Sequence, residues 1–122
     1  MLEVFMETAP IYDVGGSLPI SLDAFRNRPC ALPFGHSAYI PPTPQEVDRL
    51  IKLAGWSQSG VARLVGVTYN PKKGSSTIRK WRANIDKDDY REIPYSAWRL
   101  MLLYAGVVSI EDGLVAGIDA AV

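Results

Sequence analysis

The clearest helical patterns in this chain are WSQSGVARLVGVT at residues 56–68 and SSTIRKW at residues 75–81. Ser57 can cap a helix, because its side chain accepts a hydrogen bond from the backbone of the first turn. Gly66 can end that helix, because glycine readily adopts the left-handed conformation found there. The apolar residues between them share one helical face: Val61, Leu64 and Val65. The first stretch therefore predicts a short amphipathic helix.

The second stretch predicts another short helix, which begins at Ser75 or Ser76. Ile78 and Trp81 would face inward, and Ile85 is a further candidate for the same face. The basic side chains of this helix would face outward: Arg79, Lys80 and Arg82. The exposed side of the second helix is thus expected to be positively charged.

A third helical pattern precedes this pair. Thr43 and Glu46 have the spacing of a capping box, and Pro44 suits the first helical position. One apolar stripe follows, ahead of a terminating Gly55: Val47, Leu50, Ile51 and Ala54. We expect a helix over this segment.

A fourth pattern begins after Pro94, where Ser96 either caps the helix or lies in its first turn. Its stripe ends at Gly106: Trp98, Met101, Leu102 and Ala105. Other apolar residues fill the remaining faces: Leu100, Leu103 and Tyr104. A helix that is apolar nearly all round must be buried on more than one side, here by the N-terminal segment or by another copy of the chain.

The two ends of the chain are less regular. Residues 1–43 are rich in proline and glycine, and the apolar runs at residues 4–6 and 11–12 could be strands or an extended arm lying on the domain. Residues 109–122 form a tail with one possible short helix from Ile110. The sequence thus predicts an all-α domain of four to five helices over residues 44–108, with an irregular N-terminal extension.

Charge is unevenly distributed along the 122 residues, although 13 basic and 13 acidic residues cancel. Residues 1–44 have a formal charge of −2, residues 45–82 of +6, and residues 83–122 of −4. Nucleic-acid phosphates attract lysine and arginine, so overall neutrality would argue against such a partner. The positive charge of residues 45–82 removes this objection, because a local excess of lysine and arginine can bind phosphates even in a neutral chain. This basic segment contains both of the stretches quoted above.

Residues 56–68 and 75–81 together resemble the helix-turn-helix of the lambda-repressor-like (XRE) family of transcription regulators. Ala62 is small enough for the second helix to cross closely, Gly66 permits the turn, and Ile78 fills the wedge between the helices. A weaker resemblance links residues 93–106 to the closing helix of small phage- and plasmid-borne regulators of this type. The two resemblances cover about residues 44–108 and imply a second helix that lies in the DNA major groove.

The resemblance also implies two sets of DNA-binding residues. The base-reading set lies at the start of the second helix: Ser75, Ser76, Thr77 and Arg79. The phosphate-binding set combines the start of the first helix, the connecting loop and the flank of the second helix: Gln58, Lys72, Lys73, Lys80 and Arg82. Trp81 matches an aromatic residue that packs in the core of this family.

One feature departs from the family pattern. Ile78 lies twelve positions after Gly66, where the family has about six, so residues 69–74 form an inserted loop. Lys72 and Lys73 of this loop either grip phosphates or belong to a solvated turn centred on residues 70–71. The first interpretation is favoured because the loop directly precedes the second helix, and the insertion leaves the register of base contacts open.

No pattern for catalysis, a metal or a cofactor is evident. His36 and Cys30 are the only residues of their types, and no acid or nucleophile is spaced to work with them. The acidic residues at 86–89 lack the glycine and closing glutamate of a calcium loop. No segment is long and apolar enough to span a membrane, so a cytoplasmic protein is expected.

These observations predict a regulator, most simply a repressor, that binds a palindromic double-stranded DNA operator as a homodimer. No enzymatic activity, cofactor or membrane contact is expected. The alternative is a small accessory factor that uses the same helical fold to bind a protein without reading DNA.

Overall fold

The computed structural model describes residues 17–112, which fold into α-helices and short 3-10 helices. The α-helices are α1 (Pro44–Ala54), α2 (Gln58–Val65), α3 (Ser76–Arg82) and α4 (Tyr95–Tyr104). The 3-10 helices precede them at Asp23–Asn27 and Pro29–Ala31. The described residues contain no β-strand, only an isolated bridge between Asn70 and Gly74. The expected all-α class is confirmed.

The helix ends follow the capping signals in the sequence. In α1, the Thr43 hydroxyl accepts a hydrogen bond from the Glu46 amide at 3.1 Å, and the Glu46 carboxylate accepts one from the Thr43 amide at 2.8 Å. Ser57 caps α2 through the Gly60 amide at 3.0 Å, and Gly66 ends it with a φ of 80°. The side-chain bonds of Thr43, Glu46 and Ser57 satisfy backbone amides that the start of a helix leaves without partners.

The core is one cluster to which all four α-helices and the N-terminal segment contribute. Ala62, Ile78 and Trp98 are completely buried, and Trp81 is 5% exposed. The core roles expected for both tryptophans are confirmed. The inward placement considered for Ile85 is wrong, because α3 ends at Arg82 and Ile85 is 73% exposed.

The N-terminal segment supplies the second side against which α4 packs. The Phe25 ring meets the Trp98 ring edge-on, with centroids 6.2 Å apart. The Trp98 indole N–H donates to the Cys30 carbonyl at 2.8 Å, and Arg99 donates to the Ala31 carbonyl at 2.9 Å. The N-terminal segment therefore contributes Phe25, Cys30 and Ala31 to the packed core rather than lying apart from it.

A buried ion pair also joins this segment to α1. Arg28 Nε donates to Glu46 Oε2 at 2.9 Å, and both side chains are less than 10% exposed. Because the other oxygen of Glu46 completes the capping box, one carboxylate both starts α1 and anchors the N-terminal segment.

The apolar runs at residues 4–6 and 11–12 lie outside the described residues, as does most of the predicted tail. Residues 110–112 are helical, and Ser109 and Asp112 exchange side-chain to backbone hydrogen bonds at 3.2 and 3.3 Å. Among residues 17–112, no helix is long and apolar enough to cross a membrane.

Candidate nucleic-acid interface

Helix α3 has one packed face and one solvent-facing side. Ile78 and Trp81 are buried against the neighbouring helices, whereas Ser76 and Arg79 are exposed. Thr77 and Lys80 are half-buried at the edges of the exposed side. The predicted base-reading residues other than Ser75 thus reach the surface of α3.

Ser75 has a different position, because it caps the helix and is only 1% exposed. Its hydroxyl donates to the Thr68 carbonyl at 2.7 Å and accepts from the Ile78 amide at 3.3 Å. A base contact by Ser75 does not fit this placement, since both functions of the hydroxyl are used inside the protein.

Gln58 holds the start of α3 against the start of α2. Its side-chain carbonyl accepts a hydrogen bond from the Ser75 amide at 2.9 Å. Gly74 lies directly against this side chain: a Cβ added at Gly74 would come within 2.3 Å of Gln58 Oε1. The predicted phosphate ligand is therefore also a positioning residue for α3.

The inserted loop is closed by its own hydrogen bonds. The backbones of Asn70 and Gly74 exchange two bonds of 2.7 and 2.8 Å. The Asn70 side chain accepts from the amides of Lys72 and Lys73 at 2.9 and 3.0 Å. This turn holds the backbone of both lysines in place beside α3 and leaves their side chains exposed.

Arg82, a predicted phosphate ligand, is an ion-pair partner of α1. Its Nε donates to Asp48 Oδ1 at 2.7 Å and its Nη2 contacts the same oxygen, while Lys52 Nζ lies 2.8 Å from Oδ2. Partial burial opposes ionisation of Asp48, but the hydrogen bonds from Lys52 and Arg82 outweigh it and lower its pKa. Arg82 thus fixes the end of α3 to α1.

Three cations at the α3 surface have no such partner. Lys72, Lys73 and Arg79 are exposed, and within residues 17–112 none of them pairs with a carboxylate. Lys73 and Arg79 line the same groove, and Lys72 is the neighbour of Lys73 in the loop. Exposed cations close to one another can bind an anionic polymer.

A residue of this surface that the sequence analysis missed is Tyr69. The Arg63 guanidinium lies 5.9 Å from the centre of the Tyr69 ring, and the ring lines a groove together with Lys73, Ser76 and Arg79. An aromatic residue in an otherwise polar, lysine-containing loop was the available signal. Its position depends on Arg63, which belongs to α2, and on closure of the loop.

The chain is similar to two Escherichia coli proteins, both named transcriptional repressor protein KorC. The first is 32% identical over 75 residues, which cover 62% of this chain and 79% of the relative. The second is 36% identical over 66 residues, which cover 54% of this chain and 68% of the relative. The chain belongs to the KorC family of transcriptional repressors. No family model and no solved structure matches it.

Other candidate groups of this KorC-family repressor lie away from the α3 surface. His36 is exposed and accepts a hydrogen bond from the nearby Ala38 amide at 3.0 Å. Cys30 is buried, and that burial, together with the Glu46 carboxylate, raises the pKa of its thiol, which disfavours a nucleophilic thiolate. In the part of the chain that the structure describes, no group of three or more metal-binding side chains is assembled.

Proposed function

We propose that this chain represses transcription by binding a double-stranded DNA operator, with α3 in the major groove. The supporting observation is the exposed side of α3, where Arg79 and the loop cations Lys72 and Lys73 have no carboxylate partner among residues 17–112. Membership of a repressor family and the resemblance of α2 and α3 to the XRE helix-turn-helix support the same function. Action on DNA would also place the protein in the cytoplasm.

Within this proposal, Ser76, Thr77 and Arg79 read base edges. The Arg79 guanidinium has the donor geometry to bind two acceptors of one guanine. Lys72, Lys73 and Lys80 bind phosphates, which orient the protein but carry no sequence information themselves. Gln58 can add a phosphate contact through its amide nitrogen, because only its oxygen is used to hold Ser75.

The proposed assembly is a homodimer formed through α4 and the residues after it. Apolar side chains remain exposed there: Leu100, Tyr104 and Ile110. Together with the partly buried Leu103 and Val108 they line a shallow groove. A second copy on this surface would remove it from water and generate two-fold symmetry. The operator would then be palindromic, with half-sites about 34 Å apart on one side of the duplex.

Selection of bound duplexes from a random pool tests DNA recognition. We expect one enriched sequence, and we expect the double variant Arg79→Ala, Lys80→Ala to bind it roughly 5- to 150-fold more weakly, since a bidentate base contact alone is worth about 1–3 kcal/mol. Circular dichroism checks the fold, and Lys87→Ala removes an exposed cation outside this surface as a control. Unchanged affinity of the double variant would reject major-groove reading by α3. Failure to enrich any duplex would favour the protein-binding alternative.

Light scattering tests the dimer. We expect the full chain to be dimeric and Leu100→Glu to make it monomeric, because a buried carboxylate at the interface would lack a partner. Ile85→Glu is the matched control, since Ile85 is also exposed but lies outside the α4 surface. A monomeric wild-type protein, or equal effects of both substitutions, would reject this interface.

A further inference from the structure

Tyr69 presents an aromatic ring at the surface that the protein core does not use. The residue is 37% exposed and lies outside the core cluster. It lines one wall of the groove between the inserted loop and α3, and Ser76 and Arg79 line the same groove. An apolar ring is therefore placed next to two side chains that are proposed to read bases.

The ring is held in place before any partner arrives. Arg63 of α2 lies over it at 5.9 Å, an arrangement in which the cation and the ring attract each other. The loop that follows is closed by the paired backbone bonds of Asn70 and Gly74. The contact with Arg63 and the closed loop restrict the ring, which reduces the entropy lost when it meets a partner.

The chemistry of the major groove provides one apolar group for such a ring. The exposed edges of the bases carry hydrogen-bond donors and acceptors, except for the C5-methyl group of thymine. Phosphates instead attract cations, and Lys73 supplies one at the same groove. In this groove Lys73 is thus available for the DNA backbone, and the Tyr69 ring is available for a base.

We infer that Tyr69 is a specificity-determining residue whose ring packs on the C5-methyl group of a thymine beside the base pair that Arg79 reads. The inference rests on the proposed DNA-binding function and adds a contact from the inserted loop. Arg63 is a positioning residue, which acts through the ring. The inserted loop therefore adds sequence preference as well as positive charge.

Replacing each thymine of the selected duplex in turn by deoxyuridine tests this inference, because the exchange removes only the methyl group. We expect one position in each half-site at which wild-type affinity falls about fourfold, the value for burying one methyl-sized apolar group. Tyr69→Ala should bind the thymine and deoxyuridine duplexes equally at that position. Tyr69→Phe should retain the wild-type preference, because it keeps the ring.

Arg63→Met provides a second variant that leaves Tyr69 in place, and its fold is checked by circular dichroism. It should weaken the thymine preference without abolishing binding. The inference is overturned if no single exchange changes wild-type affinity, if Tyr69→Ala weakens all duplexes while keeping the preference, or if Tyr69→Phe loses it. Absence of any wild-type binding would instead overturn the proposed function itself, so the two failures are distinguishable.

Discussion

Asp48 shows how one carboxylate organises the basic region. It binds Lys52 of its own helix and Arg82 of α3, so two of the eight basic residues between positions 45 and 82 are paired with a carboxylate. Lys72, Lys73 and Arg79 are exposed, and within residues 17–112 none of them forms such a pair. A sum of charges along the sequence cannot separate these two groups.

The lowered pKa of Asp48 predicts a pH-dependent contribution to stability. Its charged form is favoured in the folded state, so the contribution is present above the unfolded pKa of about 3.9 and is lost as pH falls through the lower folded value. Asp48→Asn should reduce the free energy of unfolding by about 0.5–1 kcal/mol at pH 7, the range for partly exposed pairs.

Urea unfolding between pH 2 and pH 7 measures this effect. The difference between wild type and Asp48→Asn should shrink as pH falls below about 4. Asp86→Asn, an exposed change outside the Asp48 ion pairs, serves as the control. A difference that stays constant down to pH 2 would contradict an ionic role for Asp48.

Lys72 and Lys73 are predicted to act through phosphate contacts. If each binds one phosphate, replacing both by alanine should reduce the slope of log affinity against log salt by about 1.8, because each contact releases condensed counterions. Binding to the selected duplex at several salt concentrations measures the slope. An unchanged slope would show that the two lysines belong to a solvated turn and do not bind phosphates. Lys87→Ala is the control and should leave the slope unaltered.

At the scale of elements, the junction between α2 and α3 depends on Gly74. Its φ of 87° is strained for other residues, and a Cβ would collide with the Gln58 side chain that holds the Ser75 amide. Gly66 also has a positive φ, of 80°, but open space surrounds the position of its Cβ. A substitution at Gly66 would therefore introduce backbone strain alone, whereas one at Gly74 would introduce both backbone strain and a steric clash.

Gly74→Ala should destabilise the protein by about 2–3 kcal/mol, whereas Gly66→Ala should cost about 1 kcal/mol. Thermal unfolding followed by circular dichroism measures both. Gly74→Ala should also weaken DNA binding beyond its effect on stability, because it displaces the start of α3. Equal effects on stability would show that the Gln58 side chain can move aside at little cost and that its hydrogen bond to the Ser75 amide contributes little to stability.

At the scale of the whole molecule, the N-terminal segment completes the core. Phe25 is fully buried against Trp98, and Arg28 is paired with Glu46. The proposed boundary at residue 43 separates an irregular segment from regular helices, yet these contacts cross it. We expect a fragment spanning residues 44–108 to be much less stable than the full chain.

Phe25→Ala should lower the free energy of unfolding by about 3–5 kcal/mol, the usual cost of removing a buried aromatic ring. Phe34→Ala is the matched control, because Phe34 is 66% exposed and should cost less than about 1 kcal/mol. Chemical unfolding followed by tryptophan fluorescence compares them. A loss for Phe25→Ala as small as that expected for Phe34→Ala would mean that the Phe25 ring does not contribute to the core as the structure indicates.

Local patterns in the sequence were sufficient for the four α-helices and for the capped ends of α1 and α2, but not for the end of α3 at Arg82. Thr43, Ser57 and Gly66 form their capping hydrogen bonds with residues no more than four positions away, so the local sequence is enough to predict them. The exposed cations Lys72, Lys73 and Arg79 were found in the same way. The family comparison then agreed with the regulatory class that these residues indicated.

Short-range periodicity and composition were enough to predict the helical class, the α2 and α3 pair and the basic surface. Three contacts could be identified only in the folded chain: Arg82 with Asp48, Gln58 with Ser75, and Phe25 with Trp98 in the core. These contacts join residues 17 to 73 positions apart, and packing selects them among many sterically possible partners. Tyr69 became a candidate for the same reason, since its neighbours Arg63 and Arg79 meet it only in the folded chain.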